Sequence, residues 1–169
     1  SKWHSYNKSH IDSMKLYYYQ LIKDYLPYNK KQKILDIGCG MGFFLLMLRD
    51  HGYENIYGIE IDLKQVECCQ NFDLNVIQVT DTIKYLKELN SEFSLITAFD
   101  VVEHFPVNKQ IQLIKAIYNS LEDNGVFFVL FLMQIRSLHQ DGDILIIHII
   151  LLLLNIVLIL YYSMEDFLT

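Results

Sequence analysis

The chain has 169 residues, a formal net charge of -6 and a sequence pI of about 5.4, which suits one domain with a sizeable core. That balance excludes a nucleic-acid footprint, because phosphate binding needs a basic patch and the only cluster, Lys30, Lys31 and Lys33, reads as a solvated loop before the first strand. Three cysteines, Cys39, Cys68 and Cys69, form neither a C-x-x-C pair nor a zinc-ligand spacing, and with no signal peptide they point to a reduced, cytoplasmic setting.

Residues 1–28 begin with Ser1 rather than Met, as expected of a fragment or a processed chain. Apolar and aromatic residues recur there at spacings of three and four: Trp3, Tyr6, His10, Met14, Tyr17, Tyr18, Leu21, Ile22, Tyr25 and Leu26. This predicts one or two amphipathic helices ended by Pro27, with most of these side chains packed on a core. The segment also has the aromatic load of a helical cap over a site, in Trp3, Tyr6, Tyr17 and Tyr18.

Lys33 to Ile37 predicts a first strand, and Gly42 to His51 a first helix, with Gly52 as its stop. Between them Asp36-Ile37-Gly38-Cys39-Gly40-Met41-Gly42 sets three alternating glycines behind an acid. Such a turn lets a ligand lie against main-chain N–H groups with no Cβ in the way, beside the positive end of a helix. It departs from the dinucleotide fingerprint G-x-G-x-x-G, whose third glycine would fall on Phe43. The pattern D-x-G-x-G-x-G resembles the first motif of class I S-adenosylmethionine (SAM)-dependent methyltransferases. That resemblance implies a cofactor corner made by Asp36, Gly38, Gly40 and Gly42.

A second strand, from Asn55, ends in Glu60-Ile61-Asp62. Glu60 lies 24 residues after Asp36, near the spacing that sets an acid on a ribose in nucleotide-binding βαβ units. In the family the ribose acid follows a Gly-apolar pair, as Glu60 follows Gly58-Ile59. Glu60, with Ile61 beside it, is therefore assigned to the cofactor, and Asp62 to the cap of the helix Leu63 to about Asn71. Cys68 and Cys69 on that helix read as small, inert filler. A third strand, Asn75 to Val79, leads to Asp81 and Thr82, which the resemblance places on the adenine. Asp81 equally suits the cap of a helix over Thr82–Leu89.

The fourth strand, Phe93 to Phe99, runs into Asp100-Val101-Val102-Glu103-His104. This is similar to the fourth-strand motif of small-molecule methyltransferases, among them the ubiquinone-biosynthesis O-methyltransferases and sugar-tailoring relatives. By that likeness Asp100 lies beside the methionine part of the cofactor. His104 is the imidazole near the transfer point, where it can take a hydroxyl proton. The competing reading holds Glu103 and His104 as loop-bracing hydrogen-bond partners. Helix Val107 to Leu121 should face the sheet with Ile111, Ile114, Ile117, Tyr118 and Leu121. Asn124-Gly125 turns into a fifth strand, Val126 to Leu132.

The expected fold is α/β: a doubly wound, mostly parallel, Rossmann-like sheet of the class I methyltransferase type. It divides into a SAM-binding domain at 1–132, whose first 28 residues are the helical cap, and an atypical hydrophobic tail at 133–169. The family would continue with a substrate loop, a helix and an antiparallel strand pair. Here Ile144 to Tyr162 instead holds two plainly polar side chains, His148 and Asn155, in 19 residues. Three readings compete: a membrane span, a buried helix or strand pair that finishes the sheet, and a slipped reading frame. One permitted back-translation from Gln134, read from each codon's third base, yields a polar string containing Arg-Tyr-Thr-His-His, similar to the substrate loop of the sugar-tailoring relatives. A sheet ending at the fifth strand would leave an unpaired edge.

The function expected from the resemblance is methyl transfer from SAM to an oxygen, or secondarily a nitrogen, of a small molecule, with no metal and no nucleic-acid partner. The alternatives are an inactive or truncated protein of the same fold and, less favoured, an NAD-dependent oxidoreductase. The expected location is cytoplasmic, membrane-associated only if 144–162 is an anchor.

Overall fold

The computed structural model describes residues 7–133 and 156–162. Its elements follow the alternation of the sequence. Helix α1 (Lys8–Ile22) continues into a 3₁₀ turn, Lys23–Tyr25. Then come β1 (Lys33–Ile37), α2 (Phe43–Asp50), β2 (Asn55–Glu60), α3 (Leu63–Gln70), β3 (Val76–Gln78) and α4 (Thr82–Lys87). Strand β4 (Phe93–Phe99), a 3₁₀ turn at Val102–His104, α5 (Val107–Ser120), β5 (Leu121–Met133) and β6 (Ile156–Tyr162) complete the described chain. All five strand pairings are parallel, in the order β3-β2-β1-β4-β5-β6.

The near-continuous apolar runs of β1 and β4 follow from this, because helices cover both faces of a parallel sheet. One layer is built on Ile34, Leu95 and Phe128, and takes in Phe44, Leu45 and Leu48 of α2, Cys69 of α3 and Ile22 of α1. The other is built on Leu35, Ile37, Ile96, Ala98 and Phe127, and takes in Ile83 and Leu86 of α4 with Leu113 and Ile117 of α5. Helix starts are set locally. The side chain of Asn7 accepts from Ser9 N, that of Asp62 from Lys64 N, and that of Asp81 from Lys84 N. The assignment of Asp62 to a cap is thus what the structure shows.

Two expectations need correction. The buried face of α5 is Leu113, Ile114, Ala116, Ile117 and Ser120, whereas Ile111 and Tyr118 are 40% and 52% exposed. The small Ala116 and Ser120 let the helix approach, and Ser120 Oγ is satisfied by Leu86 O and Ala116 O. Strand β5 begins at Leu121 rather than after Asn124-Gly125. The register jumps from Phe93↔Leu121 to Leu95↔Val126, so Asn124 (φ 65°) and Gly125 form an irregularity within the strand rather than a turn before it.

At the far edge of the sheet Ile156–Tyr162 pairs in parallel with Phe127–Met133, so the fifth strand is not left unpaired. This end of the apolar run is therefore strand. Residues 144–155, and the back-translated stretch from Gln134, lie outside the described residues, as do Trp3 and Tyr6 of the proposed cap. Among the described residues no helix is long and apolar enough to cross a membrane.

Candidate functional site

Parallel strands bring the loops after β1, β2, β3 and β4 to one sheet edge. The chain leaves β1 toward β2 on one side and reaches β4 on the other, which is a topological switch point. A cavity of about 780 Å³ opens there. It has the volume of a pocket for a cofactor or a substrate of moderate size.

The glycine turn forms one wall. Gly38 N and Cys39 N both donate to Ile59 O, which pins the turn to the end of β2. Glu60 closes the corner. Its Oε2 accepts from Gly40 N at 2.9 Å, and its Oε1 from Ile61 N at 2.8 Å and Asp62 N at 3.1 Å. This carboxylate is only 8% exposed yet faces the cavity with its charge held by three main-chain donors. A Cβ at Gly40 (φ 55°) would stand 3.2 Å from Gln65 Oε1, and both residues line the cavity. The absent side chain keeps the floor open.

Gly42 is a different case. A Cβ there (φ 77°) would stand 2.7 Å from Leu74 Cδ1 and 2.9 Å from Cys69 Sγ. It is the N-cap of α2, packs against α3 and does not line the cavity. Asp36 does not line it either. It is 2% exposed, on the sheet face covered by α1 and α2, and its Oδ1 lies 2.6 Å from Thr97 Oγ1 of the neighbouring strand. Burial, with Glu60 adding to it and the Thr97 bond opposing, pushes its carboxyl up to about 7.

The remaining sequence-assigned residues gather around the same space. Gly38, Ile61, Asp81, Thr82, Asp100 and His104 all line the cavity with Gly40 and Glu60. Asp81 spends one oxygen capping α4 and stays exposed. Asp100 takes a positive φ of 54°, rare outside glycine, which turns the chain out of β4 into the loop that carries His104. His104 is exposed at the end of the 3₁₀ turn, its N–H donating to Val101 O. The cavity is therefore acidic toward β2 and β3, where Glu60 and Asp81 lie. Beyond β4 it holds His104, Phe105 and Lys109.

Several lining residues were not foreseen: Gln65, Thr80, Phe99, Phe105 and Lys109. Gln65 had a signal, since it lies one turn into the helix that follows the ribose acid. Lys109 had none, because a lysine in the first turn of an amphipathic helix usually faces only solvent. Helix α1 contributes no lining residue. Its Tyr18 packs on Phe99 at 4.9 Å and on Phe44 at 5.7 Å, so it braces the wall from behind. Burial and the nearby Asp36, Tyr17 and Asp100 hold its phenol well above the usual range. The thiols of Cys39 and Cys69 meet beneath the turn. That contact and burial keep Cys39 a protonated thiol.

Residues 11–148 match the family model described as a methyltransferase domain. Among curated proteins the chain is 30% identical over 129 residues to an uncharacterised protein of Haemophilus influenzae, covering 70% of this chain and 49% of that one. It is 33% identical over 78 residues to the ribosomal protein L11 methyltransferase of Aquifex aeolicus, covering 46% and 31%. Among solved structures, a SAM-dependent methyltransferase from Archaeoglobus fulgidus superposes with a TM-score of 0.55 at 25% identity, over 70% of this chain and 54% of that one. The chain thus spans about half the length of its first curated relative and of this structure. With the glycine turn, the acid after β2 and the switch-point cavity, these matches show that the chain belongs to the SAM-dependent methyltransferase family and carries its Rossmann-like fold.

Proposed function

We propose that the protein binds S-adenosylmethionine in the switch-point cavity and methylates an oxygen, or secondarily a nitrogen, of a small molecule. The observation that carries the reading is the join of Glu60 to the glycine turn: a buried carboxylate, oriented by three N–H donors, beside a glycine whose missing Cβ leaves the floor open. The residues fit the cofactor. Glu60 suits the ribose hydroxyls, Asp81 and Thr82 with exposed Ile61 suit the adenine, and Gly38, Gly40 and Asp100 suit the methionine part. When bound, S-adenosylmethionine supplies an electrophilic methyl group.

The chain's own residues position and deprotonate. Loops on four strands hold the two reactants in line, which is where most of the acceleration in such a transfer arises. His104 stands on the far side of the cavity from Glu60 and Asp81, where an acceptor hydroxyl would enter, and takes its proton. The similarity to the L11 methyltransferase covers less than half of this chain, so it carries no argument about the acceptor.

A thermal-shift titration with S-adenosylhomocysteine tests the cofactor reading. Saturation at about a hundred times the dissociation constant adds about 2.7 kcal/mol of stability. A folded sample that shows no shift with S-adenosylhomocysteine but responds to NADH would overturn the reading in favour of a dinucleotide enzyme.

A further inference from the structure

Asp36 is the acid of the glycine motif, yet it does not touch the cavity. Its chain neighbours Ile37 and Gly38 do, and Glu60, which also lines the cavity, acts electrostatically on the Asp36 carboxyl. Thr97, its register partner on β4, is completely buried. The Thr97 hydroxyl lies 2.6 Å from Asp36 Oδ1 and 3.4 Å from Leu35 O. The Thr97 hydroxyl, a neutral donor, is the side chain bonded to this nearly solvent-free carboxyl. With a proton on Asp36 the same contact is kept with its direction reversed, the carboxyl donating to Thr97 Oγ1. The titratable groups that face Asp36 are Tyr18 from α1, Cys39 from the turn, Glu60 from β2 and Cys69 from α3. None is basic, so nothing among them would hold a buried carboxylate in its charged form.

We propose that Asp36 is a proton-linked counter-charge, protonated in the free protein and ionised when a cationic cofactor fills the cavity in front of it. The inference rests on the reading of the cavity as a SAM site. The O–H bond of Asp36 breaks heterolytically, its proton leaves to solvent, and the carboxylate then accepts the Thr97 hydroxyl. No oxidant or reductant is involved. The charge on the bound molecule drives the exchange, so S-adenosylmethionine, with its sulfonium, releases more proton than S-adenosylhomocysteine, which lacks it.

Isothermal titration calorimetry at pH 7 in phosphate and in Tris measures the protons exchanged on binding. The expected result is a release of up to about half a proton per S-adenosylmethionine, a smaller release for S-adenosylhomocysteine, and none attributable to this site in Asp36→Asn. If the bound charge lowers the carboxyl by about one unit, affinity for S-adenosylmethionine rises about tenfold across the window and stays flat in the variant. Equal heats in both buffers, or a release that persists in Asp36→Asn, overturn the proposal while leaving the cofactor reading intact. Failure of both molecules to bind refutes the cofactor reading and the proposal together. Should Asp36→Asn not fold, the 13C resonance of the Asp36 carboxyl in the wild-type protein decides. Titration near neutrality in the free protein, shifted down with S-adenosylmethionine, supports the proposal, and a resonance flat from pH 5 to 9 sinks it.

Discussion

Gly40 and Gly42 share a motif and a positive φ, but the structure gives them different work, and alanine at each position separates the two. Either substitution forces an L residue into the left-handed region, at roughly 1–2 kcal/mol. At Gly40 the added Cβ meets only Gln65 Oε1, the end of a flexible side chain, at 3.2 Å. Nothing more is lost in the fold, but the methyl group stands in the cavity. At Gly42 the Cβ meets Leu74 Cδ1 at 2.7 Å and Cys69 Sγ at 2.9 Å, and those residues are 5% and 0% exposed. Both belong to the same buried cluster and have no free space to retreat into, so overpacking adds about 1–3 kcal/mol. Gly42→Ala should therefore lose about 2–5 kcal/mol and Gly40→Ala about 1–2, against a total near 5–15 for a domain. Urea unfolding measures the first quantity, and calorimetric titration with S-adenosylhomocysteine the second. Gly40→Ala should stay folded and bind poorly, whereas Gly42→Ala should bind normally in whatever fraction folds. Equal losses of stability, or wild-type binding by Gly40→Ala, would refute the division.

Glu60→Gln places an amide where three N–H donors converge, so S-adenosylhomocysteine affinity should drop about 10- to 100-fold, matching the 1.5–3 kcal/mol of a charge-assisted bond; undiminished affinity would remove Glu60 from the site. His104→Gln, at an exposed position, should leave stability within about 0.5 kcal/mol and cofactor binding unchanged while lowering turnover 10²- to 10⁴-fold; an unaffected rate would assign His104 to bracing the loop. Asp36 binds its proton more tightly folded than unfolded, so its contribution is present below about pH 4 and is lost as pH rises to about 7. Asp36→Asn removes that slope and should gain on the wild type by up to about 4 kcal/mol between those limits in urea unfolding followed against pH; parallel pH profiles would contradict a raised carboxyl.

The sheet was legible because parallel strands are buried on both faces and so must be apolar throughout, while the turns between them need glycine or a capping acid. Those two requirements mark Lys33–Ile37 and Phe93–Phe99 to the residue. The amphipathic helices were legible as helices but not in their orientation. On α5 the larger Ile111 and Tyr118 drew the face away from Leu113, Ala116 and Ser120, because hydrophobicity measures what a side chain gains by burial and not how closely the helix must approach. Lys109 was invisible for a related reason: its place at the cavity follows from the angle at which α5 leaves the loop after His104, and no local pattern encodes that angle. Strand β6 was hidden by its length of uniform apolar sequence, which a span, a buried helix and a central strand all satisfy.

Within the motif itself, some residues touch the cavity and others support it. Gly38, Gly40 and Glu60 present backbone space and charge to it, while Asp36, Cys39 and Gly42 point into the layer under α1, α2 and α3. Positions 36, 38, 40 and 42 share one parity, so the division follows the left-handed backbone at the glycines and not the alternation of a strand. It explains why one short string carries two functions that a linear reading cannot tell apart. It also sets Asp36, near the end of β1, off the cavity lining, where it does not compete for the ligand. A carboxylate on the open face at position 36 would be solvated and ionised at neutral pH, and would add only another contact. Behind the wall, with a threonine hydroxyl as its partner, the same group makes the electrostatics of the corner depend on what fills it.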